Sequence, residues 1–150
     1  MQLADVLTTD RVRLDVTASS KKTLLEKVAA LLSKDPNSAA ERDIFESLCQ
    51  RERLGSTGLG SGVAIPHGRS PSQQDITGAV IRLKKPIDFD APDQGKVDIF
   101  FALAIPDECS DSHLQILANL AEFFKNKEHL HAVRSIKSAE EILALMQHGE

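Results

Sequence analysis

Alternating strand-like and helix-like segments predict a single α/β domain with a mixed sheet, parallel and antiparallel, and helices on both faces. Three observations carry this expectation. The chain has 150 residues, enough for one domain with its core over about 3–147 and too few for two. Apolar residues recur at helical spacing in 24–32 and at strand spacing in 12–16, 78–83 and 97–105. The strands near 80 and 100 are joined by a loop, which permits an antiparallel pair, whereas helical connections elsewhere permit parallel ones.

Each element has a local reason. Residues 12–16 alternate apolar and polar and read as a strand. Ser19 or Ser20 caps a helix with Leu24, Leu25, Val28, Ala29, Leu31 and Leu32 on one face. Asp35-Pro36-Asn37 stops it, because the residue before proline disfavours helical geometry. Ser38 is expected to cap a second helix to about Glu52, with Ile44, Phe45 and Leu48 inward. Gly55, Gly58, Gly60 and Gly62 then crowd one short stretch. Val63, Ala64 and Ile65 form a brief buried strand that ends at Pro66-His67-Gly68. Residues 78–83 read as a strand and 84–96 as a polar loop with two prolines. Residues 97–105 are the most apolar segment and belong at the centre of the sheet. Asp111 or Ser112 is expected to cap a helix whose inner face is Leu114, Leu117, Leu120, Ala121 and Phe124. Two short helices follow, over about 127–135 and 139–147.

Composition removes several function classes. With 22 acidic against 18 basic residues the formal charge is −4, which disfavours a nucleic-acid binder held by phosphate contacts. There is no Trp and no Tyr for base stacking. Cys49 and Cys109 are far apart with no zinc spacing and read as reduced, packed thiols of a cytoplasmic protein. The N-terminus is not a signal peptide, and the longest apolar run, 99–105, is far short of the roughly 20 residues of a membrane span. No direct membrane insertion is expected.

The glycine-rich stretch fails both nucleotide patterns: no Lys follows as in a P-loop, and no helix opens as in a dinucleotide site. It reads as a tight loop or as a set of exposed N–H donors. His67 follows a short strand and a proline and precedes a glycine, which puts an imidazole at a strand end in a stiff turn. A neutral imidazole is a nucleophile near pH 7 and can accept a phosphoryl group where donors and cations surround it. Ser56, Thr57, Ser61, the glycine N–H groups, Arg51 and Arg53 lie near it in sequence. His113 begins a helix after the central strand, beside Asp107, Glu108 and Asp111, where α/β sheets place ligands. His129 and His131 point to different helical faces, so they are not expected to share a metal; no metal and no cofactor is expected elsewhere in the chain. The pairs Glu46/Glu52 and Asp88/Asp90 read as solvated faces and loop.

The run RERLGSTGLGSGVAIPHGR, residues 51–69, resembles the phosphorylation-site signature of IIA domains of the fructose/mannitol type in the bacterial phosphotransferase system, with most similarity to the stand-alone nitrogen-regulatory branch. Ser112-His113-Leu114-Gln115-Ile116-Leu117-Ala118 resembles that family's helix carrying a second active-site histidine. The resemblance spans essentially the whole chain, and it implies a single-domain sandwich whose mixed sheet has about five strands. It implies that His67 is phosphorylated on Nε2, that His113 bonds the phosphoryl group and that Arg51 belongs to the site. Ser56, Thr57, Gly58 and Gly68 would hold phosphoryl oxygens, and Asp107, Glu108 and Asp111 would form an acidic partner rim. It implies as partners an HPr-like phosphocarrier of the nitrogen branch and regulatory targets such as potassium-transport regulators or sensor kinases, with no nucleic acid.

Three readings compete. The first is a regulatory phosphocarrier. The second is a sugar-specific IIA that passes phosphate to a IIB domain for uptake. The third is a binding module that has kept the fold and lost the transfer. The absence of an attached IIB or membrane IIC segment and the GSTGLGSG wording favour the first. The joint presence of His67, Arg51 and His113 weighs against the third.

Overall fold

The computed structural model describes residues 2–108 and 110–148; the expectation for Cys109 lies outside them. Two short 3-10 turns, Leu3–Val6 and Thr9–Arg11, lead into β1 (Val12–Val16), α1 (Lys21–Leu32), α2 (Glu41–Arg53), β2 (Gly58–Gly60), β3 (Val63–Ala64) and β4 (His67–Ser70). Then come β5 (Thr77–Ile87), β6 (Val97–Pro106), α3 (Asp111–Lys125), α4 (Lys127–Ser135) and α5 (Ala139–His148). The sheet is mixed and helices cover both faces, as the sequence predicts, with six strands among the described residues in place of about five.

Strand β6 is the spine. It pairs antiparallel with β5, and β5 pairs parallel with β1. On its other side β3 and β4 lie in line, both parallel to it, with Val63 opposite Ile99 and His67 opposite Leu103. The continuous apolar run of β6 follows from burial on both faces. Ile99, Phe101, Leu103 and Ile105 meet Ile116, Leu120, Ile142 and Met146 of α3 and α5. Phe100, Ala102 and Ala104 meet Leu24, Leu32, Ile44 and Leu48 of α1 and α2.

Four local expectations are corrected. Ser20 caps α1 by accepting the Thr23 N–H at 3.1 Å, but Ser38 does not cap α2. That helix starts after Ala40, and the Ser38 hydroxyl donates to the Ala39 carbonyl at 3.0 Å. The N-cap position of α3 is Ser110, not Asp111 or Ser112. The buried stripe of α3 is Ile116, Leu120, Phe123 and Phe124, while Leu114 is 49% exposed. Finally, β5 runs on through Lys84, Lys85 and Pro86, and Ile87 pairs with Val97. Proline is tolerated there because Pro86 lies in the irregular stretch between Arg82 and Ile87, where β5 has no register partner on β6, and because β1 stops pairing at Leu83.

Candidate active site

His67 opens β4. The Pro66 carbonyl before it accepts the Leu103 N–H at 2.9 Å, so the sheet fixes the backbone on which the ring stands. The ring is half-buried, and Nδ1 lies 2.8 Å from the Ile65 carbonyl oxygen. A carbonyl can only accept, so Nδ1 carries the proton and Nε2 keeps its lone pair. Burial pushes the imidazole pKa below its ordinary value. The Ile65 carbonyl opposes this, the Arg51 guanidinium adds to it, Glu52 opposes it and Arg69 adds to it. The outcome is a neutral ring near pH 7.

The ring lines a cleft of about 430 Å³ together with Arg51, Gly68, Arg69, Asp107 and Leu114. Arg51 stands in the last turn of α2, and its Nη1 donates to the Gly55 carbonyl at 2.8 Å. Gly68 brings the two halves of the site together. A Cβ there would lie 2.4 Å from Ser47 Oγ and 2.7 Å from the Ser47 carbonyl carbon, so only glycine lets β4 sit this close to α2.

His113 is placed differently. Its Nδ1 accepts the Ser110 backbone N–H at 3.2 Å, which puts the ring proton of the neutral form on Nε2. It faces an adjoining cleft of about 380 Å³ with Glu108 and Asp107, and Asp107 also lines the His67 cleft. Asp107, Glu108 and Asp111 are exposed, and Asp111 does not line either cleft.

The structure does not bring Ser56, Thr57 or Gly58 to the His67 cleft. Ser56 Oγ donates to the Phe89 carbonyl at 3.0 Å and accepts the Gly58 N–H at 3.1 Å. The buried Thr57 hydroxyl donates to Glu52. Gly58 packs on the Ala91–Pro92 turn, where a Cβ would come within 3.0 Å of the Ala91 Cβ. These residues close the loop internally. Ser61, at φ 57, donates its N–H to Asp93 at 3.2 Å, and Arg53 is exposed without lining the cleft.

Sequence reasoning missed three features. Arg69 was detectable, because a strand puts residues two apart on one face, and Arg69 is two beyond His67. Leu54 and Leu114, 85% and 49% exposed, both border the cleft. Glu52 is buried, not solvated. It pairs with Lys21 Nζ at 3.0 Å, and nothing in the local sequence announces that long-range partner. Among the described residues no group of three or more His, Cys, Asp or Glu is placed to hold a metal ion.

Residues 5–149 match the family described as the phosphoenolpyruvate-dependent sugar phosphotransferase system, EIIA 2. The chain belongs to this IIA family. The IIA chain is 37% identical to a nitrogen regulatory protein of Pseudomonas aeruginosa, over 100% of this chain and 99% of that one. It is similar to the crystal structure of nitrogen regulatory protein IIA-Ntr from Neisseria meningitidis, with 41% identity and a TM-score of 0.91, covering 96% and 98% of the two chains. It shares its fold with IIA mannitol of Escherichia coli, at 18% identity and a TM-score of 0.78 over 93% and 98%. As a IIA domain it is a phosphotransfer component of that system. No helix among its described residues is long and apolar enough to cross a membrane.

Proposed function

We propose that this IIA protein is a regulatory phosphocarrier: His67 Nε2 accepts a phosphoryl group from a phosphohistidine protein of the HPr type, and the added charge changes which regulatory proteins it binds. One observation carries the reading. The Ile65 carbonyl holds the Nδ1 proton, so Nε2 is the free nucleophile in a cleft that Arg51 and Arg69 also line.

The chemistry balances without a base. The phosphorus–nitrogen bond on the donor imidazole breaks as the bond to His67 Nε2 forms. Each ring keeps the proton on its other nitrogen. The phosphorylated ring of His67 therefore becomes cationic, and the Ile65 carbonyl, already bonded to that proton, stabilises it. Arg51 presents a planar fork of donors suited to phosphoryl oxygens. His113, with its proton on Nε2, is a further donor once the partner and phosphoryl group bridge the two clefts. The dianionic group appears beside Asp107, where it alters the electrostatics of a rim bordered by Leu54 and Leu114. The similarity to nitrogen regulatory proteins supports a regulatory output over sugar uptake.

The test is the intact mass after incubation with phosphoenolpyruvate, the nitrogen-branch Enzyme I and its HPr-like carrier. One acid-labile phosphoryl group on wild type and none on His67→Ala is expected. No phosphate on either protein with this chain and with a sugar-branch carrier would overturn the proposal. Rapid onward transfer to a fructose- or mannitol-type IIB domain would replace the regulatory output with the sugar-specific one.

A further inference from the structure

The site leaves one buried ionisable group unused. Glu52 is 9% exposed and follows Arg51 in the last turn of α2. Both of its carboxylate oxygens are committed to Thr57: Oε1 accepts the backbone N–H at 3.3 Å and Oε2 accepts the hydroxyl. Lys21 of α1 lies 3.0 Å from Oε1 and balances the charge. Lys21 is itself held, 4.6 Å above the Phe89 ring and 3.4 Å from Asp90. Residue 57 is thus clamped from both its backbone and its side chain.

The clamp leads to the nucleophile. The Thr57 carbonyl accepts the Ile65 N–H at 3.0 Å. The Ile65 carbonyl accepts the His67 Nδ1–H at 2.8 Å. Three consecutive hydrogen-bonded steps therefore run from the Glu52 carboxylate to the imidazole. The same carboxylate is one residue from Arg51, and the Glu52 carbonyl accepts the Gly55 N–H at 3.2 Å, beside the Gly55 carbonyl that holds the Arg51 guanidinium.

We infer that Glu52 is a positioning residue for phosphoryl transfer: through Thr57 and Ile65 it sets the ring orientation and tautomer of His67 and keeps Arg51 in register with it. The inference rests on the assignment of His67 as acceptor. A carbonyl that turns away from Nδ1 frees the ring to rotate and lets the proton move to Nε2, where it blocks attack.

The test reads the tautomer directly, by 15N chemical shifts of the His67 ring in the unphosphorylated full chain at a pH where the ring is neutral. Wild type is expected to show a protonated Nδ1 and an unprotonated Nε2. Glu52→Ala should shift both nitrogens toward averaged values and slow transfer by roughly 10²-fold in kcat, with little change in KM, because nucleophile geometry and not partner docking is lost. Glu52→Gln keeps an acceptor for the Thr57 N–H and a donor for its hydroxyl, so it should restore wild-type ring shifts and most of the rate. If Glu52→Ala does not fold, Thr57→Val removes the hydroxyl bond at nearly constant volume and should move the ring shifts in the same direction. Unchanged ring shifts in whichever of these variants folds would overturn the inference. The shifts are measured without any phosphoryl donor, so a failure of His67 to be labelled would appear separately.

Discussion

Gly68→Ala should disable the site by adding one methyl group. The backbone at Gly68 is ordinary strand, so the substitution carries no conformational penalty and its effect is purely steric. The new Cβ would stand 2.4 Å from Ser47 Oγ, 2.7 Å from Ser47 C and 2.8 Å from Ser47 O. Carbon atoms rest at about 3.5–4.0 Å, so α2 and β4 must part by roughly 0.8 Å or more. Ser47 lies inside α2, and its hydroxyl already donates to the Ile44 carbonyl at 2.8 Å, so the helix moves as a unit or deforms. Overpacking of this kind costs about 1–3 kcal/mol, which lowers Tm by roughly 2–12 °C in a chain of this size. The same displacement separates Arg51 on α2 from His67 on β4. Misplacement on that scale can slow transfer by roughly 10²-fold. Urea titration and the rate of phosphoryl labelling measure the two effects on one sample. Adding Ser47→Gly should not rescue either, because two of the three obstructing atoms are backbone. Wild-type stability and rate in Gly68→Ala, or full rescue by the second substitution, would refute the argument that close packing of these elements assembles the site.

Other predictions follow from the same geometry. His113→Ala should retain labelling at a rate lower by about 10²–10³-fold, as for loss of one transition-state donor, whereas a full rate would remove His113 from the site. The lowered pKa of His67 means that the unfolded chain binds more protons than the folded one as pH falls below the ordinary value of 6.5. This contribution to stability is complete above that value and is lost as pH drops through it toward the folded pKa. Wild type should therefore lose urea resistance more steeply than His67→Gln between about pH 7 and about pH 5, and parallel curves would contradict the burial argument. Arg82, 8% exposed, donates to the Val133 carbonyl at 2.8 Å and to the Ile136 carbonyl, closing the end of α4. Arg82→Met should cost about 1–3 kcal/mol for each carbonyl orphaned, with His67 labelling retained well below the melting transition.

Much of the molecule was legible in the chain. The apolar run of β6, the stripe of α1, the stop at Asp35-Pro36-Asn37 and the stiff Pro66-His67-Gly68 turn are local signals, because burial periodicity and restricted dihedrals act within a few residues. Less legible were the phase of α3, where Leu114 faces out and Ile116 and Phe123 face in, and the continuation of β5 through Pro86. Both depend on which neighbour lies alongside, and a sequence pattern does not name neighbours.

The candidate site divides in the same way. Sequence alone determined that a histidine stands at a strand end beside a glycine, that an arginine precedes the glycine loop, and that a second histidine begins a helix. Tertiary structure alone decided that the Ile65 carbonyl leaves the Nε2 lone pair of His67 free, that Arg69 joins Arg51 in the His67 cleft while His113 faces the next one, and that the Ser56 and Thr57 hydroxyls turn inward. It also decided that Glu52 is buried against Lys21, an ion pair spanning two helices. The physical reason is that hydrogen bonds and charges act over a few ångströms in space, and residues 21, 52, 57 and 67 become neighbours only when α1, α2 and the glycine loop pack on the sheet.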